Sequence, residues 1–263
     1  MEKLMKLRFL WLTGLFLLSM HSRASLQVFP TKIKLSTRTK VATVTIRNKS
    51  TFKTTYKLSA VYYKQSFDGQ MMKVEDPGSS GHSIIEFLRF SPRRITLAPN
   101  DEQVVRFMVR KTASLSTGDY RAHIRFEPIK KEDESGSGRD NLVMMKIDAR
   151  IAINVPIIYT HGNVDGKVDL KNFSISKNKD GNYFNVVMKK EGAIFPFGTF
   201  KVFRVGDKKE EMVAIVNGVS SYIPERRFTF KMEDFKERSG VYEIRFYENE
   251  FAKQPVAKDS FKL

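Results

Sequence analysis

The chain has 263 residues, a formal net charge of +17 from 46 Lys and Arg against 29 Asp and Glu, and no cysteine. The missing cysteines exclude disulfides and thiolate metal sites, so hydrophobic burial alone must hold the fold. A chain of this length suits two domains of roughly 120 residues once its first segment is set aside.

Lys3, Lys6 and Arg8 precede an apolar stretch, residues 9–20, and Ser22-Arg23-Ala24 places small residues at the two positions a signal peptidase reads. This pattern predicts a signal peptide over residues 1–24 and an exported mature protein. The apolar stretch falls short of the roughly 20 residues a spanning helix needs, so no integral membrane anchor is expected. Cleavage removes Lys3, Lys6, Arg8, Arg23 and Glu2, which lowers the net charge from +17 to +14. For an exported protein the remaining basicity suits anionic surfaces and acidic partners rather than nucleic acid.

The mature sequence then reads as short alternating segments divided by turn chemistry. Residues 41–46 alternate and end at Asn48-Lys49-Ser50; Tyr56, Leu58, Ala60 and Tyr62 share one side of the next strand; Asp68-Gly69 marks a hairpin. Ile95 and Leu97 lead into the turn Ala98-Pro99-Asn100-Asp101, after which Val105, Phe107 and Val109 oppose Val104, Arg106 and Met108. Residues 120–126 give a further strand. Strands at this spacing, with little helical periodicity, predict an all-β sandwich.

Residues 130–141, KKEDESGSGRDN, carry no apolar side chain and read as a loop. Beyond it every odd position from Val143 to Val155 is apolar: Val143, Met145, Ile147, Ala149, Ile151, Ile153 and Val155. Period two puts all seven on one face of a strand. A typical strand has only about 5–6 residues, so a small sheet covers about half of this one. The apolar edge left over invites a partner, or pairing with a second copy of the chain. Pro156 is expected to limit pairing, and residues 156–162 to lead into a second domain.

That second domain repeats the first in outline. Thr117-Gly118-Asp119-Tyr120 precedes Ile124-Arg125-Phe126, and Ser239-Gly240-Val241-Tyr242 precedes Ile244-Arg245-Phe246. Each follows a Pro-led turn and a strand with Arg and Phe, namely Pro99 with Arg106-Phe107 and Pro224 with Arg227-Phe228. Gly-x-Tyr opening a late strand is the sequence form of a Greek-key tyrosine corner.

Little here asks for catalysis. The mature histidines, His82, His123 and His161, lack the short spacings of metal sites, and His123 reads as a filler within a strand. No nucleophile elbow, phosphate-binding glycine loop or paired-cysteine motif occurs. The expectation is a protein that is no enzyme and needs no cofactor and no metal.

Three pieces together resemble the periplasmic pilus-assembly chaperones of the chaperone–usher pathway, the PapD-like proteins. They are Phe29-Pro30-Thr31-Lys32-Ile33, Ile46-Arg47-Asn48-Lys49-Ser50, and the block from Phe90-Ser91-Pro92-Arg93-Arg94 through Ile95-Thr96-Leu97-Ala98-Pro99 to Gln103-Val104-Val105-Arg106. The resemblance implies two tandem immunoglobulin-like β-sandwich domains: 25–158, carrying the donor strand, and 159–263. It implies a chaperone that lends its long strand to pilin-like subunits lacking one of their own, by donor-strand complementation, and passes them to an outer-membrane usher. Val143, Met145, Ile147 and Ala149 would be lent, while Ile151, Ile153 and Val155 stay in the chaperone's core. Burying three such side chains contributes roughly 5–8 kcal/mol before ordering costs.

The resemblance further implies two basic residues gripping the subunit's C-terminal carboxylate. Lys32 takes the first place. At the second the pattern would fall on Ala152 or Asn154, and Arg150, of the same parity, is the substitute. Two departures mark a divergent branch: Thr160-His161-Gly162 stands where Arg-Pro is usual, and Lys189-Lys190-Glu191-Gly192 where an Asn-Gly signature is expected. The rival reading is an exported structural or adhesive module that binds surface polymers, its long strand fully paired in its own sheet.

Overall fold

A computed structural model describes residues 26–129, 151–206, 209–233, 235, 238–249 and 251–263. The chain is all-β, two immunoglobulin-like sandwiches in tandem. In the first, β1 (Leu26–Phe29), β3 (Val41–Asn48), β8 (Glu102–Val109) and β6 (Leu88–Ser91) form one sheet in the order β1-β3-β8-β6. The facing sheet runs β2 (Ile33–Ser36), β10 (Ile153–His161), β9 (Gly118–Pro128), β4 (Thr54–Gln65), β5 (Met71–Val74), with β7 (Arg94–Leu97) also on β4.

Alternation decides what each strand buries. Val44 and Ile46 of β3, Val105 and Phe107 of β8, Tyr56 and Leu58 of β4, and Ala122 and Ile124 of β9 meet in one core. Asn48, where β3 ends, is also buried: its side-chain amide donates to the Phe52, Leu97 and Ala98 carbonyls while its oxygen accepts from Ser50. The polar cluster expected to stop the strand is therefore a buried loop clamp. Asp68-Gly69 forms the β4–β5 hairpin, with Gly69 at φ +84°, a conformation glycine adopts without strain.

The second sandwich packs β11 (Gly166–Asn178), β12 (Gly181–Gly192) and β15 (Glu225–Met232) against the sheet β14-β13-β16-β17, formed by β13 (Phe197–Val205), β14 (Glu210–Ser220), β16 (Val241–Tyr247) and β17 (Ala257–Lys262). Phe184, Met188, Phe200, Phe228, Tyr242 and Phe246 fill its core.

The internal repeat is a geometric one. The Tyr120 hydroxyl donates to the Ser116 carbonyl at 2.9 Å, and the Tyr242 hydroxyl to the Arg238 carbonyl at 2.7 Å, four residues upstream in both sandwiches. Both are tyrosine corners. The paired Arg-Phe strands agree as well: Phe107 and Phe228 point into the two cores, and Arg106 and Arg227 point out.

One expectation is corrected. Residues 156–162 are not the passage between domains, because β10 runs through Pro156 to His161, and Tyr159 is a core residue of the first sandwich. The sheet thus carries the first sandwich past the expected boundary at 158. Pro156 is tolerated because β2 starts to pair with β10 only at Ile157, so no ladder bond to β2 is asked of its missing N–H.

Candidate functional site

Strand β10 is paired unequally. Against β9 it runs antiparallel over its whole length, from Ile153↔Phe126 to His161↔Gly118. Against β2 it runs parallel only from Ile157↔Ile33 to Thr160↔Ser36. Among the described residues, the Ile153–Pro156 edge facing away from β9 therefore has no strand beside it. Val155, Ile157 and Tyr159 face the core and Ile153 packs against it, so odd positions are the inward ones. Ile151 breaks the expectation that it stays in the core: it is 77% exposed. It lies beyond Ile153↔Phe126, the last pair between β10 and β9. Val143, Met145, Ile147, Ala149 and Arg150 lie outside the described residues.

Lys32 sits where the chain crosses from one sheet to the other, between β1 and β2, and it faces the second domain. Its Nζ lies 3.4 Å from the Phe197 ring centroid. Burial, and then the charge of Lys34, push its ammonium down to about 7, while Asp119 opposes the shift. A lysine in this setting is easily neutralised and gains from any anion that reaches it. Lys190, at the end of β12, feels the same carboxylate from the second domain. Its Nζ donates to the Gly192 carbonyl at 3.2 Å and lies 5.5 Å from the Phe195 ring, and burial lowers its pKa against the pull of Asp119.

Asp119, between these cations, is itself buried and fully engaged. Its Oδ1 accepts from the Thr160 hydroxyl at 2.6 Å, its Oδ2 from the Phe195 N–H at 2.8 Å, and its own N–H donates to the Ala193 carbonyl at 2.7 Å. It thereby clasps the link between β12 and β13 onto the start of β9. Gly118 allows the approach, since a Cβ there would stand 2.9 Å from that of Ala193.

Two residues on, Arg121 is 2% exposed. Its guanidinium is layered between Tyr62 of the first domain and Tyr222 of the second, 4.3 Å from each ring centroid. Gln65 accepts from the Tyr222 N–H at 2.8 Å. The β4–β5 hairpin completes the contact: the Phe67 carbonyl accepts from the Arg227 N–H, and Asp68 pairs with Arg227 at 2.7 Å.

Of the expected site residues, the structure places Lys32 in the cleft. Sequence reasoning missed Asp119, Arg121, Lys190 and Tyr222. One signal was available for Asp119, which stands in the repeat where the second unit has Val241.

No family model matches the sequence, and no curated protein matches it. Solved structures of similar shape include a chain of the chaperone–tip adhesin complex of CFA/I fimbriae biogenesis, at 13% identity and TM-score 0.48, covering 91% of this chain and 98% of that one. The YadV chaperone aligns at 10% identity and TM-score 0.47, covering 91% and 100%. A chain of the Salmonella enterica SafA pilin–SafB chaperone complex aligns at 12% and 0.46, covering 86% and 90%.

Proposed function

We propose that the chain is a periplasmic chaperone that holds pilin-like subunits by lending residues 143–149 as a strand, and then delivers them to an outer-membrane usher. The observation that carries this reading is the unpaired edge of β10 at Ile153–Pro156, continuous with the alternating run upstream. An open edge supplies main-chain hydrogen bonds to an incoming strand, while Val143, Met145, Ile147 and Ala149 supply the side chains for its pockets. Lys32 would hold the subunit's C-terminal carboxylate together with Arg150, and Lys190 adds a cation from the opposite wall. Its low pKa suits Lys32 to this task, because an arriving carboxylate replaces lost hydration and restores the ammonium.

The test is co-purification of a co-expressed pilin-like subunit with the double variant Met145→Asp, Ile147→Asp. The expected result is lost capture with unchanged circular dichroism, since this reading assigns both side chains to the subunit rather than to the chaperone's own core. Undiminished capture would overturn the reading.

A further inference from the structure

On the domain interface, a cleft of about 250 Å³ lies between the β4–β5 hairpin and the start of β15, lined by Gln65, Gly69, His123, Tyr222, Arg226 and Phe228 among others. Beside neutral polar side chains such as Gln65 and Asn217, the cleft holds two basic ones, His123 and Arg226, that are incompletely satisfied. His123 is 6% exposed, with Nδ1 lacking a hydrogen-bond partner. Arg226 lies on the Phe228 ring with its Nη1 bonded to the Ser220 carbonyl, wedged so closely on Gly69 that a Cβ there would collide with its guanidinium. Its buried Nε has no partner. Behind Tyr222, Arg121 leaves Nε and Nη1 unpaired as well.

Among the described residues no acid balances these groups: neither Arg121 nor Arg226 has a carboxylate within ion-pair distance. The nearby carboxylates are engaged elsewhere, Asp68 by Arg227 and Asp119 by Thr160 and Phe195. Buried cationic donors without partners are costly, and a guanidinium edge is well shaped to give paired hydrogen bonds to an oxyanion.

We infer that this cleft is a binding site for a small oxyanion of the phosphate or sulfate type, held by Arg226 and His123 and favoured by the charge of Arg121. Because its walls come from both domains, the bound anion ties the two sandwiches together, and by mass action it stabilises the docked state. The site is separate from the Lys32 region and does not depend on strand lending.

The probe is inorganic phosphate titrated into the full mature chain at constant ionic strength, with sodium chloride as balance, read by the melting temperature. Wild type should show a saturable rise. Arg226→Gln should need at least tenfold more phosphate for the same rise, whereas Arg106→Gln, on an exposed strand face, should match wild type. An equal response in all three proteins, or no rise beyond that of chloride, would overturn the inference. If Arg226→Gln does not fold, wild-type crystals soaked in selenate decide. An anomalous peak within hydrogen-bond distance of Arg226 Nε supports the site, and peaks only elsewhere overturn it.

Discussion

Strands β9 and β16 are the same element twice, each entered through a Gly-x-Tyr corner, yet their outward faces have opposite fates. On β16, Val241 is 40% exposed, and Arg245 is ringed by Glu210 and Glu243, with Lys258 beyond. Burial pushes the Glu243 carboxyl up, but hydrogen bonds from Arg245 and Lys258 more than offset it and hold it below the usual range. On β9 the matching positions are Asp119, Arg121 and His123, all covered by the second domain. There the carboxylate is satisfied by a backbone amide and a hydroxyl, while the guanidinium is covered by tyrosine faces with Nε and Nη1 left unpaired. A charge beside water can be balanced by another charge, whereas one under a domain interface must be met by fixed dipoles, rings or a captured ion.

The largest way to break the comparison is to make β9 resemble β16. Asp119→Val leaves the Phe195 N–H and the Thr160 hydroxyl unpaired and should cost about 3 kcal/mol in urea unfolding. The reverse exchange, Val241→Asp, should stay within about 0.5 kcal/mol because the position is open to solvent.

Nearly as large is an acid effect at the domain interface. Burial, helped by the charge of Arg121, lowers the His123 pKa to about 4, against 6.5 for a free imidazole. The unfolded chain therefore binds the extra proton between these values. Stability is complete above pH 6.5, falls as pH drops toward 4, and is then level, a loss of about 3 kcal/mol. His123→Gln should flatten that slope in a pH series of denaturation curves.

Gly118→Ala should cost about 2 kcal/mol, and Gly240→Ala about half of that. Both start at positive φ, but only the first drives a Cβ into Ala193, while the second meets just the flexible Arg204 side chain. Thermal melts of the pair isolate the interdomain clash.

The smallest effect concerns binding. With the Lys32 pKa near 7, subunit affinity should weaken about tenfold from pH 6 to pH 8 as the ammonium is lost, and Lys32→Arg should remove that dependence. Titration calorimetry at the two pH values checks it.

Much of the fold was legible because alternation reports which face of a strand is apolar. Val44 and Ile46, Tyr56 and Leu58, and Phe107 and Val109 all lie inward as their parity required, and Gly118 and Gly240 announced the two corners. Along the next strand, parity sets Asp119, Arg121 and His123 on the face opposite Tyr120, Ala122 and Ile124, and goes no further. Period two separates core from surface but is silent on which surface a second domain will cover. Lys190 was hidden for the same reason, within a segment notable only for departing from a pattern. Pro156 misled because the cost of a missing N–H depends on whether a neighbouring strand asks for it.

The parallel pairing of β2 with β10 joins Ile33 to Ile157, across nearly the whole first sandwich. A chain emerging from its N-terminus can form the hairpin of β4 and β5 early, but β2 must wait for a partner synthesised more than about 100 residues later. Contacts of such long range slow folding, because loop closure comes before any reward. Kinetically the first sandwich is closed by its last strand, so a truncation ahead of residue 153 should leave the opening segment frayed and open to proteases.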